Sequence, residues 1–118
     1  MKEHRSIYHM CRRAEWTTAK SRGRYDGSSQ DVADGFIHFS TAGQVVETAA
    51  KHFAGQEGLL LVRVHAEKLG DALKWEASRG GALFPHLYGA LPLDAVTAVH
   101  DLPLGSDGRH VFPRLDDA

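Results

Sequence analysis

Apolar side chains come along this chain in short bursts separated by glycine-bearing turns. Ser6–Cys11 carries β-branched and aromatic side chains and predicts a first strand. Arg12–Lys20 then supplies helix formers in Ala14, Glu15, Ala19 and Lys20, with Trp16 as core anchor and Gly23 as stop. Tyr25–Ser29 is a turn cluster, and Asp34-Gly35 leads into a short strand over Phe36–Phe39. The clearest periodicity follows. Thr41 and Gln44 form a capping-box pattern, and Val45, Val46, Ala49, Ala50 and Phe53 recur on one helical stripe until Gly55.

The second half changes to period two. Leu59–His65 begins as a run of apolar residues, the pattern of a strand covered on both faces. Leu73–Glu76 predicts a short strand, Ser78–Gly81 a loop, and Phe84–Gly89 a strand that Pro85 pushes to an edge or a strand start. Ala95–Leu102 alternates with Val96, Ala98, His100 and Leu102 on one side, and Gly108–Phe112 predicts a last strand. Two main helices in the N-terminal half, then strands without long helices between them, imply an α+β fold. Its sheet is split or strongly bent and mostly antiparallel. The 118 residues fit one domain, 1–118.

Composition narrows the function. Hydrophobic residues make up 42% and charged residues 25%, the balance of a globular chain. Fourteen basic against fifteen acidic residues leave a net charge of −1 with no Lys/Arg block, which disfavours bulk nucleic-acid binding. No apolar run approaches the roughly 20 residues that span a bilayer. The N-terminus is polar with no apolar stretch after it, so no secretory signal is expected. Lone Cys11 gives no oxidising signature and suits a small buried hydrophobe, and a cytoplasmic location is expected. The oligomeric state is not encoded in any heptad pattern.

Eight histidines stand out. His4 lies in the N-terminal tail. His52 meets the negative end of the strong helix. His65 ends a strand, His100 alternates with apolar neighbours, and His110 follows a turn. His9, His38 and His86 differ, because each sits inside a short apolar strand near a turn. A polar ring there must find a hydrogen-bond partner or face a cavity. Each has a structural reading, but together they suggest one shared pocket. Their spacing is remote from compact metal motifs such as HExxH, and no metal is assigned. Convergence in space leaves a three-His metal site, joined by Glu76, as an alternative.

Further candidates surround them. Ser40 and Thr41 lie at a strand-to-helix junction, where hydroxyls cap the helix or hold a phosphate or ribose hydroxyl. Trp75-Glu76 sets a stacking surface beside a carboxylate, with core packing as the plainer role for Trp75. Arg79-Gly80-Gly81 is either a solvated turn or a loop bringing a guanidinium onto a phosphate.

The blocks Ile7-Tyr8-His9, Asp34–Thr41, Leu73–Glu76 and Leu83–Gly89 resemble successive blocks of the small bacterial domain-of-unknown-function family 952, over residues 7–113. That family is in turn similar to the ADP-ribosyltransferase-like fold shared with the tRNA 2′-phosphotransferases. The resemblance implies a His on the first core strand that holds a ribose hydroxyl, matched by His9. It implies an aromatic residue stacked on nicotinamide, matched by His38 within Gly35-Phe36-Ile37-His38-Phe39. The catalytic Glu of the fold falls at His86.

That last departure bears on chemistry. A carboxylate stabilises an oxocarbenium-like state by charge, whereas neutral imidazole offers only a dipole. Histidine works instead as acid or base near neutral pH. The resemblance therefore implies an enzyme that binds NAD, as substrate, or an ADP-ribose- or phosphate-bearing ligand. It transfers a ribosyl or phosphoryl group, with His86 as the acid–base residue and Tyr88 beside it. Ser40, Thr41, Trp75, Glu76 and Arg79 are its ligand-binding candidates. The alternatives are a non-catalytic nucleotide-sensing module and a metal-dependent hydrolase on a three-His site.

Overall fold

A computed structural model describes residues 5–115, apart from the side chain of Arg79. Strand β1 (Ser6–Arg12) leads into helix α1 (Arg13–Arg22), which Gly23 closes in the left-handed region at φ 85°. Strand β2 (Arg24–Tyr25), helix α2 (Ser29–Asp34), strand β3 (Ile37–His38) and helix α3 (Ala42–His52) follow. The rest is strand-rich: β4 (Leu59–His65), β5 (Leu73–Ala77), β6 (Leu83–Leu87), β7 (Leu91–Pro92) and β8 (Val96–Leu102). The fold is α+β and every strand pair is antiparallel.

Two three-stranded ladders carry the architecture, in the orders β1-β4-β8 and β3-β6-β5, with β2-β7 as a small separate pair. Alternation explains why β1 from Ser6 to Cys11 and the first half of β4 are buried throughout. Ile7, Cys11, Leu60, Val62 and Val64 face one apolar cluster with Trp16 and Ala19 of α1. Tyr8, Met10, Leu59 and Leu61 face another with Val45 and Ala49 of α3. The ladder is thus the middle layer between two helices, and the polar Ser6 and His9 are buried along with their apolar neighbours on β1.

The ladders meet at one point. Tyr8 and Ser40 exchange N–H···O bonds of 2.8 Å in both directions, forming an isolated bridge. Beyond it β1 and β3 are unpaired. This is the split that the strand pattern suggested, and the histidine strands lie on either side of it.

Four expectations are corrected. The segment after Tyr25 is not only a turn: Ser28 caps α2, whose six residues are too few to show a periodic stripe. Pro85 lies on the central strand of its ladder, not an edge. Because β3 ends at His38, the ladder asks only for the Pro85 carbonyl, which accepts from Phe39 N–H at 3.0 Å. Residues 108–112 form no strand; a turn at Gly105–Gly108 folds them back onto the chain through one bridge, Leu104 to His110. Helix α3 ends at His52, and Gly55 turns the chain only after Phe53 has broken the helix.

Candidate functional site

A cleft of about 570 Å³ opens beside the split. His9, His38 and His86 all line it, with Ser40, Thr48, His52, Asp31, Asp34 and Gln30 as further polar groups and Phe39, Phe53 and Phe84 as apolar wall. Three imidazoles distant in sequence therefore meet around one hollow, because β3 pairs with β6 so that His38 stands opposite His86, while the Tyr8–Ser40 bridge brings β1 alongside.

The three rings are in different chemical states. His9 is 4% exposed. Its Nδ1–H donates to the His38 carbonyl at 2.6 Å, and its Nε2 accepts from the Tyr25 hydroxyl at 2.7 Å. Burial lowers its pKa against the opposing pull of Asp31, so the ring is neutral. His9 is a side-chain rung across the gap where backbone pairing has stopped. Both its nitrogens are engaged within the protein. Tyr25 is driven above the ordinary phenol range by the same burial and stays a donor.

His38 is the opposite case. Its Nδ1 lies 2.6 Å from Asp31 Oδ1 and its Nε2 lies 3.0 Å from Asp34 Oδ2. Ionised carboxylate oxygens only accept, so both nitrogens carry protons. The hydrogen bond to Asp31 raises the pKa, partly opposed by burial and reinforced by Asp34. With both polar edges tied and the ring 40% exposed, His38 offers a ligand its faces.

Asp31 is the hub that sequence reading missed. It is buried, yet it accepts from Ser28 N–H at 2.8 Å, His38 N–H at 3.1 Å and His38 Nδ1. Burial works against its charge, but the hydrogen bonds from His38 and Ser28 outweigh it and hold its pKa below the usual range. The signal was available: Ser28 and Asp31 form a capping box, and Ser28 Oγ accepts from Asp31 N–H at 3.2 Å.

His86 supplies reactivity. Its Nδ1–H donates to Glu76 Oε1 at 2.8 Å, and the Tyr88 hydroxyl donates to the same oxygen at 2.8 Å. These two bonds, His86 first, hold the Glu76 carboxyl below its usual pKa, and the bond to Glu76 raises that of Tyr88. Each buried side-chain nitrogen and oxygen among the described residues has a hydrogen-bond partner. His86 Nε2 has none among them, so this atom is not sealed and opens onto the cleft that His86 lines. The carboxylate thus fixes the tautomer that leaves a lone pair on Nε2, the arrangement of a general base. Phe36 packs flat on His86, with centroids 4.1 Å apart at 25°, and touches His38 and Tyr88 at an angle. Phe36 is a second residue that sequence reading did not place in the site.

The remaining candidates separate. Ser40 lines the cleft, where its hydroxyl meets Thr48 Oγ1 at 3.2 Å. Thr41 is outside the cleft wall, buried at the start of α3, with its N–H on Gln44 Oε1 at 3.0 Å. Glu76 and Tyr88 stand behind His86 and reach the cleft through it. Trp75 is neither core nor cleft: it points to the other face of β5 and is 37% exposed, which corrects the packing role expected of it. The Arg79 side chain and His4 lie outside the described residues. No group of three or more His, Cys, Asp or Glu among the described residues is set to hold a metal ion. The hydrogen bonds explain this, because they consume both nitrogens of His9 and both of His38. No helix among the described residues is long and apolar enough to cross a membrane.

Comparison with known proteins gives a family but no activity. The model of the family described as "Protein of unknown function (DUF952)" matches residues 10–99. The crystal structure of protein CC0527 from Caulobacter crescentus is 56% identical with a TM-score of 0.87, covering 90% of this chain and 93% of that one. The solution structure of CC0527 is 57% identical with a TM-score of 0.79, covering 88% and 90%. No curated protein matches this chain.

Proposed function

This chain belongs to the DUF952 family, and we propose that it is an enzyme that binds NAD or an ADP-ribose-bearing ligand in the cleft and transfers a ribosyl or phosphoryl group with His86 as acid–base residue. The observation that carries the reading is His86 Nε2, left without a partner among the described residues at the cleft while Glu76 holds Nδ1. A volume of about 570 Å³ suits a small-molecule site, and aromatic walls with a few polar groups are the usual lining of one. No lysine or arginine is among the described lining residues. The cleft therefore favours the base-and-ribose end of such a ligand, with the diphosphate toward the solvent. His38 stacks on the ring, since its edges are committed to Asp31 and Asp34. His9 positions His38 and touches no ligand. As the nicotinamide–ribose bond of NAD breaks and nicotinamide leaves with its electron pair, an acceptor hydroxyl attacks the ribose carbon, His86 Nε2 takes the hydroxyl proton, and Glu76 stabilises the imidazolium that forms.

The test is titration of NAD and of ADP-ribose by calorimetry, followed by chromatographic assay of nicotinamide release from NAD. The wild type is expected to bind, and His86→Gln to keep binding while losing roughly a hundredfold or more in turnover. Binding without nicotinamide release assigns the cleft to a sensing module instead. Absence of binding by either ligand overturns the nucleotide reading altogether.

A further inference from the structure

Proteins hold phosphate groups with lysine or arginine side chains, with helix N-termini, or with glycine-bearing loops whose N–H groups are free. The described wall of the cleft offers none of these. No lysine or arginine is among its described lining residues. Helix α3 is capped by Thr41, which lies outside the wall with its own N–H on Gln44 Oε1. Ser28 lies in the wall at the start of α2, but its N–H donates to Asp31 Oδ2 and its Oγ accepts from Asp31 N–H, so that end is capped from within. On the loop after β5, Gly81 N–H donates to the Ser78 carbonyl at 2.8 Å. The charge that is present is negative. Asp31 and Asp34 both line the wall, with the His38 imidazolium between them. Pairing with His38 balances one of these two charges and leaves the other over. Glu76 adds a carboxylate behind His86, which Lys74 attracts from outside the wall. The same wall carries a binding group that belongs to no ion pair: His86 is 6% exposed, and its Nε2 has no partner among the described residues.

We propose that the preferred ligand of this cleft is a nicotinamide riboside without phosphate, and that a 5′-phosphate on the ribose held there weakens binding. The inference rests on the reading of the cleft as a site for the base-and-ribose end of NAD. The 5′ position belongs to the same ribose whose bond to nicotinamide breaks. A phosphate on it therefore stays within roughly a Debye length, about 10 Å at 0.1 M salt, of the acidic wall. There its charge meets the surplus carboxylate with no cation to offset it. The pyridinium ring carries the opposite sign, and the same surplus attracts it. The His38 imidazolium does not reverse this balance, because two carboxylates already face its single charge. NAD enters by the same end, and its diphosphate adds no affinity from the described wall.

The experiment titrates nicotinamide riboside, nicotinamide mononucleotide and NAD by calorimetry into the wild type and into Gln30→Lys, at low and at high salt. Riboside and mononucleotide differ by the 5′-phosphate alone. The wild type is expected to bind the riboside roughly threefold or more tightly than the mononucleotide at low ionic strength. That ratio should close as salt rises, since mobile ions screen both the attraction and the repulsion. Gln30 is exposed on α2 and lines the wall, so a lysine there adds the missing cation without entering the core. Gln30→Lys is expected to bring the mononucleotide level with the riboside or ahead of it. A melting curve within a few degrees of wild type shows that the folded variant is what was titrated. If the wild type binds the mononucleotide as tightly as the riboside, or binds NAD but not the riboside, the proposal falls while the NAD cleft stands. An unchanged ratio in Gln30→Lys has the same consequence. If none of the three ligands binds the wild type, the proposal and the NAD reading fall together.

Discussion

Replacing Asp31 by asparagine removes one charge from the most connected buried group in the site. The carboxylate accepts three hydrogen bonds, from Ser28 N–H, His38 N–H and His38 Nδ1–H, at a position only 3% exposed. Asparagine keeps one acceptor oxygen and turns an amide donor toward another donor. Losing the charge-assisted bond to His38 costs about 1.5–3 kcal/mol, and an unsatisfied buried donor about 1–3 kcal/mol. The neutral amide is cheaper to bury, which offsets part of this. A loss of about 3 kcal/mol results. With about 2.1 cal/mol/K of unfolding entropy per residue over 118 residues, that lowers Tm by roughly 12 °C. Thermal unfolding followed by circular dichroism at neutral pH measures it. A second readout separates the hub from generic damage: His38 should titrate at a lower pH in Asp31→Asn, visible in its ring proton resonances. A Tm within about 2 °C of wild type, or an unmoved His38 titration, refutes the account of Asp31 as the group that holds His38 protonated.

Other outcomes follow from the same geometry. Stability should fall on both sides of neutrality. His38, with its pKa raised above 6.5, contributes fully below that pH and loses its contribution as pH rises through the folded value. His9, with its pKa lowered, contributes above pH 6.5 and loses it as pH falls. Urea titrations across pH should therefore show His38→Gln flattening the alkaline limb and His9→Gln the acid limb. Tyr88→Phe removes one of the two donors on Glu76 and should shift the pH profile of turnover while leaving Tm nearly unchanged, as its ring is exposed. Trp75→Ala should cost about 1–2 kcal/mol by chemical denaturation, well under the roughly 3–5 kcal/mol of a sealed ring. A larger loss contradicts its surface placement.

Local pattern in the sequence was strong where one principle acted alone. Thr41, Gln44 and the stripe from Val45 to Phe53 announce α3, and the apolar run at Leu59–Val62 announces a strand covered on both faces, because period and burial leave no competing arrangement. The oddity of His9, His38 and His86 inside apolar strands was also visible, since a buried imidazole demands a partner. Three partnerships decided by how turns and strands fold back were not. Asp31 and Asp34 reach His38 across the turn after α2, Glu76 reaches His86 from the neighbouring strand, and Phe36 stacks its ring on His86. Nothing in the spacing of the histidines says that one ring is neutral and sealed, one is doubly protonated and one keeps a lone pair toward the cleft. Those differences depend on which groups meet each ring, and the turn after α2, the β5–β6 register and the Tyr8–Ser40 bridge bring those groups together. The chain alone thus determined its elements and singled out three imidazoles, because both follow from local period and the cost of burying polarity. Tertiary structure decided their protonation, because electrostatics depends on separations that pairing creates.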